Sequence, residues 1–286
     1  MTTIGLLHPG EMGAALGRCL AEQGHTVLWV SQGRSPATAR RAEAAGLTDT
    51  GSLGALLEQA EVILSVCPPQ AAQAVAKSVA GFGGLFVDAN AIAPRAVRAV
   101  AATVTEPGAT FVDGGIVGNP PQPGSDHGPR LYLAGQAAAR VAALFDRTPV
   151  TAELVDGGVG AASAVKMAYA AWTKGTAALL LTARALARSE QVEGTLLAEW
   201  GSSQPDLARR TEQAAMSAAG KGWRWEPEMT EIATAMADAG LPDGFHLAAA
   251  AIYRCCPRAD PAALGEFAPG DVVELVLEGL AGEHLA

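Results

Sequence analysis

Ile4-Gly5-Leu6-Leu7-His8-Pro9-Gly10-Glu11-Met12-Gly13 is the stretch from which the rest of the chain is read. Ile4 to Leu7 has the apolar character of a short buried strand. His8 to Gly13 is a tight turn, and Ala14 to Gln23 is an alanine- and leucine-rich helix ending near Gly24. A glycine-bearing loop carries meaning in that context, with a strand before it and a helix after it. The turn lets a pyrophosphate approach bare backbone, and the first amides of the helix add unpaired N–H groups and a positive dipole end. Gly13 stands where a glycine lets the helix pack closely on the strand. The departure from G-x-G-x-x-G is His8, which replaces the first glycine, and Pro9 stiffens the turn. His8, Pro9, Gly10, Glu11 and Met12 form the candidate phosphate loop, with His8 shaping it. An ordinary strand-to-helix turn is the alternative.

His25 to Val30 is the second strand, and the residues after it bear on which dinucleotide fits. An NAD site usually has Asp or Glu there for the ribose 2′-hydroxyl, whereas an NADP site needs cations and hydroxyls for the 2′-phosphate. The chain reads Ser31-Gln32-Gly33-Arg34-Ser35, then Thr38, Arg40 and Arg41, with no carboxylate before Glu43. Arg34 can make charge-assisted contacts with a phosphate, and Ser31 and Ser35 can donate to it. The expectation is NADP(H), preferred over NAD(H); a solvated loop leading into a basic helix is the alternative.

Composition narrows the function classes. With 286 residues the chain can form one large or two ordinary domains, and 49% of it is hydrophobic. No unbroken apolar run reaches the length of a membrane span, and the start has neither the basic flank nor the cleavage pattern of a secretory signal. A formal charge of −9 and a pI near 5.1 give no global attraction for nucleic acid. Cys19, Cys67, Cys255 and Cys256 include no C-x-x-C and no zinc spacing, so no metal site is expected. A reduced, cytoplasmic protein is the economical reading.

Short β-rich runs alternate with helical stretches through the first half. Glu61 to Val66 is a near-continuous apolar strand of the kind found in buried parallel sheets, and it ends at Cys67-Pro68. Gly84 to Asp88 is another, running into Ala89-Asn90, and Thr110 to Asp113 precedes a Gly/Pro-rich segment from Gly114 to Pro129. Arg130 to Gly135 and Val150 to Val155 read as strands around a helix from Ala137 to Phe145. Ligands of open α/β sheets sit at the carboxyl ends of the strands, which here carry Gly10, Ser31, Pro68, Asn90 and Asp113. After Val155 no convincing strand remains. Ala161 to Arg188 is one long helix or two with a kink near Gly175, and further helices fit Leu196–Trp200, Gln204–Ala219, Glu226–Ala239, Gly244–Cys256 and Pro269–Leu280. The expected architecture is α/β: an N-terminal Rossmann domain, a doubly wound parallel sheet over residues 1–156, followed by an all-α substrate and dimerisation domain over residues 157–286. A helix so long and apolar needs more than one covering surface, so a homodimer is expected.

Lys166 is the candidate catalytic residue. It lies two turns into the helix after the glycine-rich junction, between Ala161-Ala162-Ser163-Ala164-Val165 and Met167-Ala168-Tyr169-Ala170-Ala171. Helical spacing puts Ser163, Lys166, Tyr169 or Ala170, and Thr173 on one face. An ammonium among alanines is costly unless it faces a cleft or a partner. Beside a redox ring it can give a proton to a carbonyl oxygen or take one from an alcohol. The alternative is a lysine snorkelling off an apolar helix.

The motifs Gly10-Glu11-Met12-Gly13, Val66-Cys67-Pro68, Asp88 to Pro94, Asp113-Gly114-Gly115 and Gly157 to Lys166 carry a family resemblance. The chain resembles the β-hydroxyacid dehydrogenases and the wider 6-phosphogluconate dehydrogenase-like superfamily. Its later part, with Arg224-Trp225-Glu226-Pro227-Glu228-Met229, resembles a less characterised subfamily with its own helical C-terminal domain. The resemblance implies that Lys166 is the general acid/base, that Pro68 and Asn90, next to Cys67, lie along the nicotinamide ribose, and that Asp113 to Asn119, including Gly115, Val117 and Gly118, line the substrate pocket. Two departures stand out. The family often has Asn four residues after the lysine, where this chain has Ala170, and a substrate-anchoring serine corresponds to Val117.

Tyr169 can contact substrate or pack. Arg224, in the glycine-softened loop Lys221 to Trp225, can hold a substrate carboxylate or phosphate or stack on a tryptophan to fasten two helices. Glu228 and Glu231 suit a helix N-terminus, and His246 suits a cap or a packing position. The resulting expectation is an NADP-dependent oxidoreductase acting on a small hydroxy compound or its carbonyl partner. Imine reduction on the same scaffold and a non-catalytic NADP-binding regulator are the alternatives.

Overall fold

A computed structural model describes residues 1–106, 108–257 and 268–283, and it divides the chain into two units, Met1–Met167 and Ala168–Ala286. The first unit is built in the order β1 (Thr3–Leu7), α1 (Glu11–Glu22), β2 (Thr26–Trp29), α2 (Pro36–Ala44), β3 (Thr48–Asp49), α3 (Leu53–Gln59), β4 (Val62–Ser65), α4 (Ala72–Ser78), β5 (Leu85–Asp88), α5 (Pro94–Thr105), β6 (Thr110–Val117), β7 (Arg130–Ala134), α6 (Ala138–Ala142) and β8 (Thr151–Leu154). The strands form one sheet in the order β3-β2-β1-β4-β5-β6-β7-β8. All pairings are parallel except β6 with β7. This is the doubly wound α/β arrangement, with its topological switch between β1 and β4. Each face of the sheet carries its own apolar core. Leu16, Leu20, Val27, Val62 and Leu131 belong to one, and Leu56, Ile63, Phe86, Val97 and Phe111 to the other.

Two features escape a reading by periodicity. β3 is two residues long, too short to show alternation. β6 does not stop at Asp113. It runs on through Gly114-Gly115-Ile116-Val117, because these residues pair with β7 from Leu133 to Arg130. Asp88, the last residue of β5, stands in register with Asp113, so Gly114 to Val117 extend past the end of β5 on the edge where the parallel strands finish.

The remaining helices are α7 (Ala161–Ser189), α8 (Glu193–Ser203), α9 (Pro205–Asp238), α10 (Gly244–Arg254) and α11 (Pro269–Glu283). α7 is a single helix whose first two turns belong to the first unit and the remainder to the second. Gly175 does not mark a break: a Cβ there would come within 3.0 Å of the Phe245 ring, so the glycine allows α10 to pack closely. A correction concerns Lys221 to Trp225, which is not a loop. α9 continues through it and through Pro227. Gly222 serves close packing there, since a Cβ would lie 2.7 Å from the Cys256 Cβ. Pro227 removes one helical N–H without ending the helix. No helix among the described residues is long and apolar enough to cross a membrane.

Candidate functional site

The carboxyl ends of β1, β2, β4, β5 and β6 share one edge of the first unit, and the sequence-derived cofactor residues follow these ends. After β1 the chain turns sharply: Gly10 N donates to His8 O at 2.7 Å across Pro9, whose fixed φ suits that bend. His8 has φ 70°, the left-handed region, which explains why glycine usually stands at this place. A Cβ on Gly13 would lie 2.6 Å from His8 O, so Gly13 is what lets α1 sit against the turn. No side chain caps α1, and its first amides are directed out of the helix end beside exposed Gly10. Burial, with the nearby Arg34 guanidinium, holds the His8 imidazole down at about 4, and its buried Nδ1 makes no hydrogen bond among the described residues. Uncapped amides, a glycine with open space around it and a neutral imidazole with a spare polar atom fit a dinucleotide pyrophosphate. Met12 is partly buried against the core beneath the loop, while Glu11 is exposed.

After β2, Ser31 to Arg34 form a turn in which Arg34 N donates to Ser31 O at 3.0 Å and Gly33 supplies φ 74°. Arg34 is exposed, and its charge lowers the pKa of both His8 and Cys67. Ser35 has a different task from the one expected of it: it caps α2, accepting from Thr38 N at 3.3 Å. Two contributors, Asp49 and Arg18, were missed, and Arg41 has another partner than the 2′-phosphate its place in the sequence suggested. Asp49 of β3 accepts from Ser31 N at 3.0 Å and Gly51 N at 2.9 Å. Its carboxyl is held below the usual range by the Ser31 side chain and these amides, so a carboxylate does stand beside the second strand end. Arg41 donates to Pro9 O at 3.1 Å and braces the phosphate turn. Arg18 of α1 donates to Pro121 O at 2.7 Å and braces the loop after β6. For Asp49 the available signal was topological, since a doubly wound sheet requires a third strand between α2 and α3.

At the ends of β4 and β5 the polar side chains are turned inward. Asn90 is 2% exposed. Its amide N donates to Asp88 Oδ1 at 3.0 Å, its Nδ2 to Asp88 Oδ2 at 2.8 Å and Ser65 Oγ at 3.2 Å, and its Oδ1 accepts from Cys67 N. It ties neighbouring strand ends together and leaves exposed Pro68 to face outward. Burial, then the Asp88 charge, pushes the Cys67 thiol up to about 12, so it stays protonated. Burial also pushes the Asp88 carboxyl up to about 7, against the Asn90 hydrogen bonds.

Asp113 is likewise inside rather than in a pocket. It is wholly buried and accepts from Gly160 N at 2.8 Å, Ser163 N at 3.1 Å and Ser163 Oγ at 2.6 Å, capping the start of α7. Two residues on, a Cβ on Gly115 would lie 2.6 Å from Ala162 O and 3.0 Å from Lys166 Cβ. The missing side chain therefore seats α7 directly on β6 beneath Lys166, which is half-buried. Val117 is buried, and Gly118 and Asn119 are exposed. Tyr169 and Arg224 belong to the second unit. Tyr169 is half exposed, and the Arg224 guanidinium lies 5.1 Å from the Trp223 ring of the same helix. His246 is buried with Nδ1 unpartnered among the described residues, edge-on to Phe245. No cluster of three His, Cys, Asp or Glu side chains that could hold a metal occurs among the described residues.

Residues 2–148 match the model of the NAD binding domain of 6-phosphogluconate dehydrogenase. The chain belongs to that family. Residues 187–255 match a domain of unknown function, DUF1932. The chain is similar to the solved structure of a conserved protein described as structurally similar to 3-hydroxyacid dehydrogenases, at 25% identity, covering 97% of this chain and 96% of the other, with a TM-score of 0.65. It shares its fold with a Mycobacterium tuberculosis 3-hydroxyisobutyrate dehydrogenase at 19% identity, coverage of 96% and 98%, and a TM-score of 0.71. It also shares it with an Aspergillus terreus reductive aminase at 20% identity, coverage of 96% and 98%, and a TM-score of 0.57. No curated protein matches the sequence. The first unit is thus a dinucleotide-binding domain, and the whole chain has the 3-hydroxyacid dehydrogenase-like fold.

Proposed function

We propose that this protein is an NADP-dependent oxidoreductase acting on a small, hydroxyacid-like hydroxy compound or its carbonyl partner, with Lys166 as general acid/base. The carrying observation is Gly115 against Lys166 Cβ, which puts the one lysine of the junction at the strand extension beyond the cofactor edge. A bound nicotinamide would supply or accept the hydride. Lys166 then gives a proton from Nζ to the forming alkoxide during reduction and removes the hydroxyl proton during oxidation. Exposed Gly118 and Asn119 would border the substrate on the first unit, and exposed Pro68 would border a bound nicotinamide. Arg34 and Ser31 take the 2′-phosphate. α7 exposes Tyr169, Trp172, Leu179 and Leu186 at spacings of three and seven residues, a seam that supports a homodimer. Four free cysteines agree with a reduced cytoplasm.

Purified protein is assayed for NADPH consumption against short oxo acids and cyclic imines. Lys166→Met is expected to lower kcat by about 10²- to 10⁴-fold, and unchanged turnover would defeat the reading. Preferential turnover of cyclic imines would favour the second reading, C=N reduction, which the shared fold of the reductive aminase and Ala170 in place of Asn support. Arg34→Ala is expected to weaken NADPH binding about tenfold to a hundredfold, the worth of one charged hydrogen bond, with NADH affinity nearly unchanged. Equal losses for both nucleotides would remove the argument for NADP.

A further inference from the structure

We propose that Asp113 and Ser163 are positioning residues that set the height and rotation of Lys166; the inference rests on Lys166 being the proton-handling group. A helix start ordinarily finds its caps in the residues just before it. α7 instead takes its cap from a strand 47 to 50 residues earlier. One carboxylate oxygen collects Gly160 N and Ser163 N, and the other collects Ser163 Oγ at 2.6 Å. Both oxygens are therefore committed to α7, and neither is exposed.

The grip has a second point. Asp113 and Gly115 lie on the same side of β6, two residues apart. They meet Ser163 and the Ala162–Lys166 turn, three residues apart on the helix. Two contacts spaced along both elements fix translation and rotation together, whereas either alone would leave a pivot. Ser163 and Lys166 are one turn apart on one face, so a slip at the clamp moves Nζ directly. Gly160, which donates to the Asp113 carboxylate, has φ 106°, and a Cβ there would lie 3.1 Å from the Arg98 guanidinium carbon.

The test uses the full chain with Ser163→Ala and Asp113→Asn. Ser163→Ala keeps a good helix former and loses one of three donors, so folding is preserved; near-ultraviolet circular dichroism and NADPH affinity by fluorescence verify this. Lys166 is labelled with trace acetic anhydride and quantified by peptide mass spectrometry, with exposed Lys77 as internal reference. The expected result is at least an about threefold change in the Lys166/Lys77 labelling ratio. With NADPH and the best short oxo acid, the accompanying kcat falls about tenfold to a hundredfold while KM is little changed, as for a misplacement below 1 Å. A labelling ratio and kcat within twofold of the wild type in both folded variants would overturn the proposal. Labelling does not need turnover. An active Lys166→Met together with a changed ratio would therefore reject the assignment of Lys166, and with it the catalytic meaning of the clamp, while leaving the clamp's hold on the side chain demonstrated.

Discussion

In the sheet unit, the buried carboxylates of Asp88 and Asp113 face backbone amides and short polar side chains. In the helical unit, the buried carboxylate of Glu228, inside α9, faces the Lys174 ammonium. The contrast follows from where spare donors exist. Strand ends and helix starts present N–H groups that regular structure leaves unpaired, so a carboxylate there can be satisfied without a cation. Helices packed flank to flank have already used their amides, and a buried acid among them needs a charged partner. The first arrangement is directional and fixes backbone, which suits a site. The second joins one helix to another and tolerates adjustment.

The largest effect should come from breaking the paired kind. Lys174 and Glu228 have side chains only 16% and 10% exposed, and Nζ also lies 5.7 Å from the Trp225 ring. Glu228→Ala is expected to cost about 3–5 kcal/mol, because a largely buried ion pair loses its carboxylate. Lys174→Met combined with Glu228→Leu should recover most of that loss, since a well-packed apolar pair removes both desolvation penalties. Thermal melts of the three proteins decide it. A double variant no more stable than Glu228→Ala would mean that the charges here have a directional role like those of the sheet unit.

The unpaired kind should show itself through pH. The Asp88 carboxyl is raised from 3.8 to about 7, mainly by burial, so the folded chain holds its proton more tightly than the unfolded chain. Its stabilising contribution is complete below about pH 4 and is lost as pH rises through about 7, with a slope of up to about 1.4 kcal/mol per pH unit. The stability difference between wild type and Asp88→Asn, followed from pH 5 to 8, should therefore move against the wild type as pH rises. A difference independent of pH would show that the Asn90 amides already offset the burial.

Much of this arrangement was legible in the sequence, and the parts that were not share a cause. The runs over 4–7, 62–64 and 85–87 carry no polar side chain, so they announce a buried parallel sheet, and the loss of such runs after Val155 announces the helices. Thr48-Asp49 is too short for any period, and with it went Asp49 against Ser31. Gly114-Gly115 has poor strand propensity, and only pairing with β7 and the seat for α7 keep it extended. Gly222 and Pro227 read as a break, yet close packing against α10 overrides local propensity. Asp113 was recognisable as a residue with a purpose. Its direction was not, because Gly160 and Ser163 lie 47 and 50 residues further on, and no local pattern links them.

Arg254 and Glu226 supply the smallest effect and the sharpest control. Nε donates to Oε1 at 2.9 Å, as good a geometry as the buried pairs have, but the side chains are 52% and 30% exposed. Glu226 lies two residues from Glu228 on the same helix, so propensity and local sequence are nearly matched and solvent is the main variable. Water screens the attraction and solvates either group left behind, which limits such pairs to at most about 1 kcal/mol. Arg254→Ala should lower the melting free energy by about 0.5 kcal/mol or less, and by less still in high salt. A loss approaching that of Glu228→Ala would mean that burial is not what separates strong pairs from weak ones in these helices, and the distinction drawn between the two units would then have to rest on donor geometry alone.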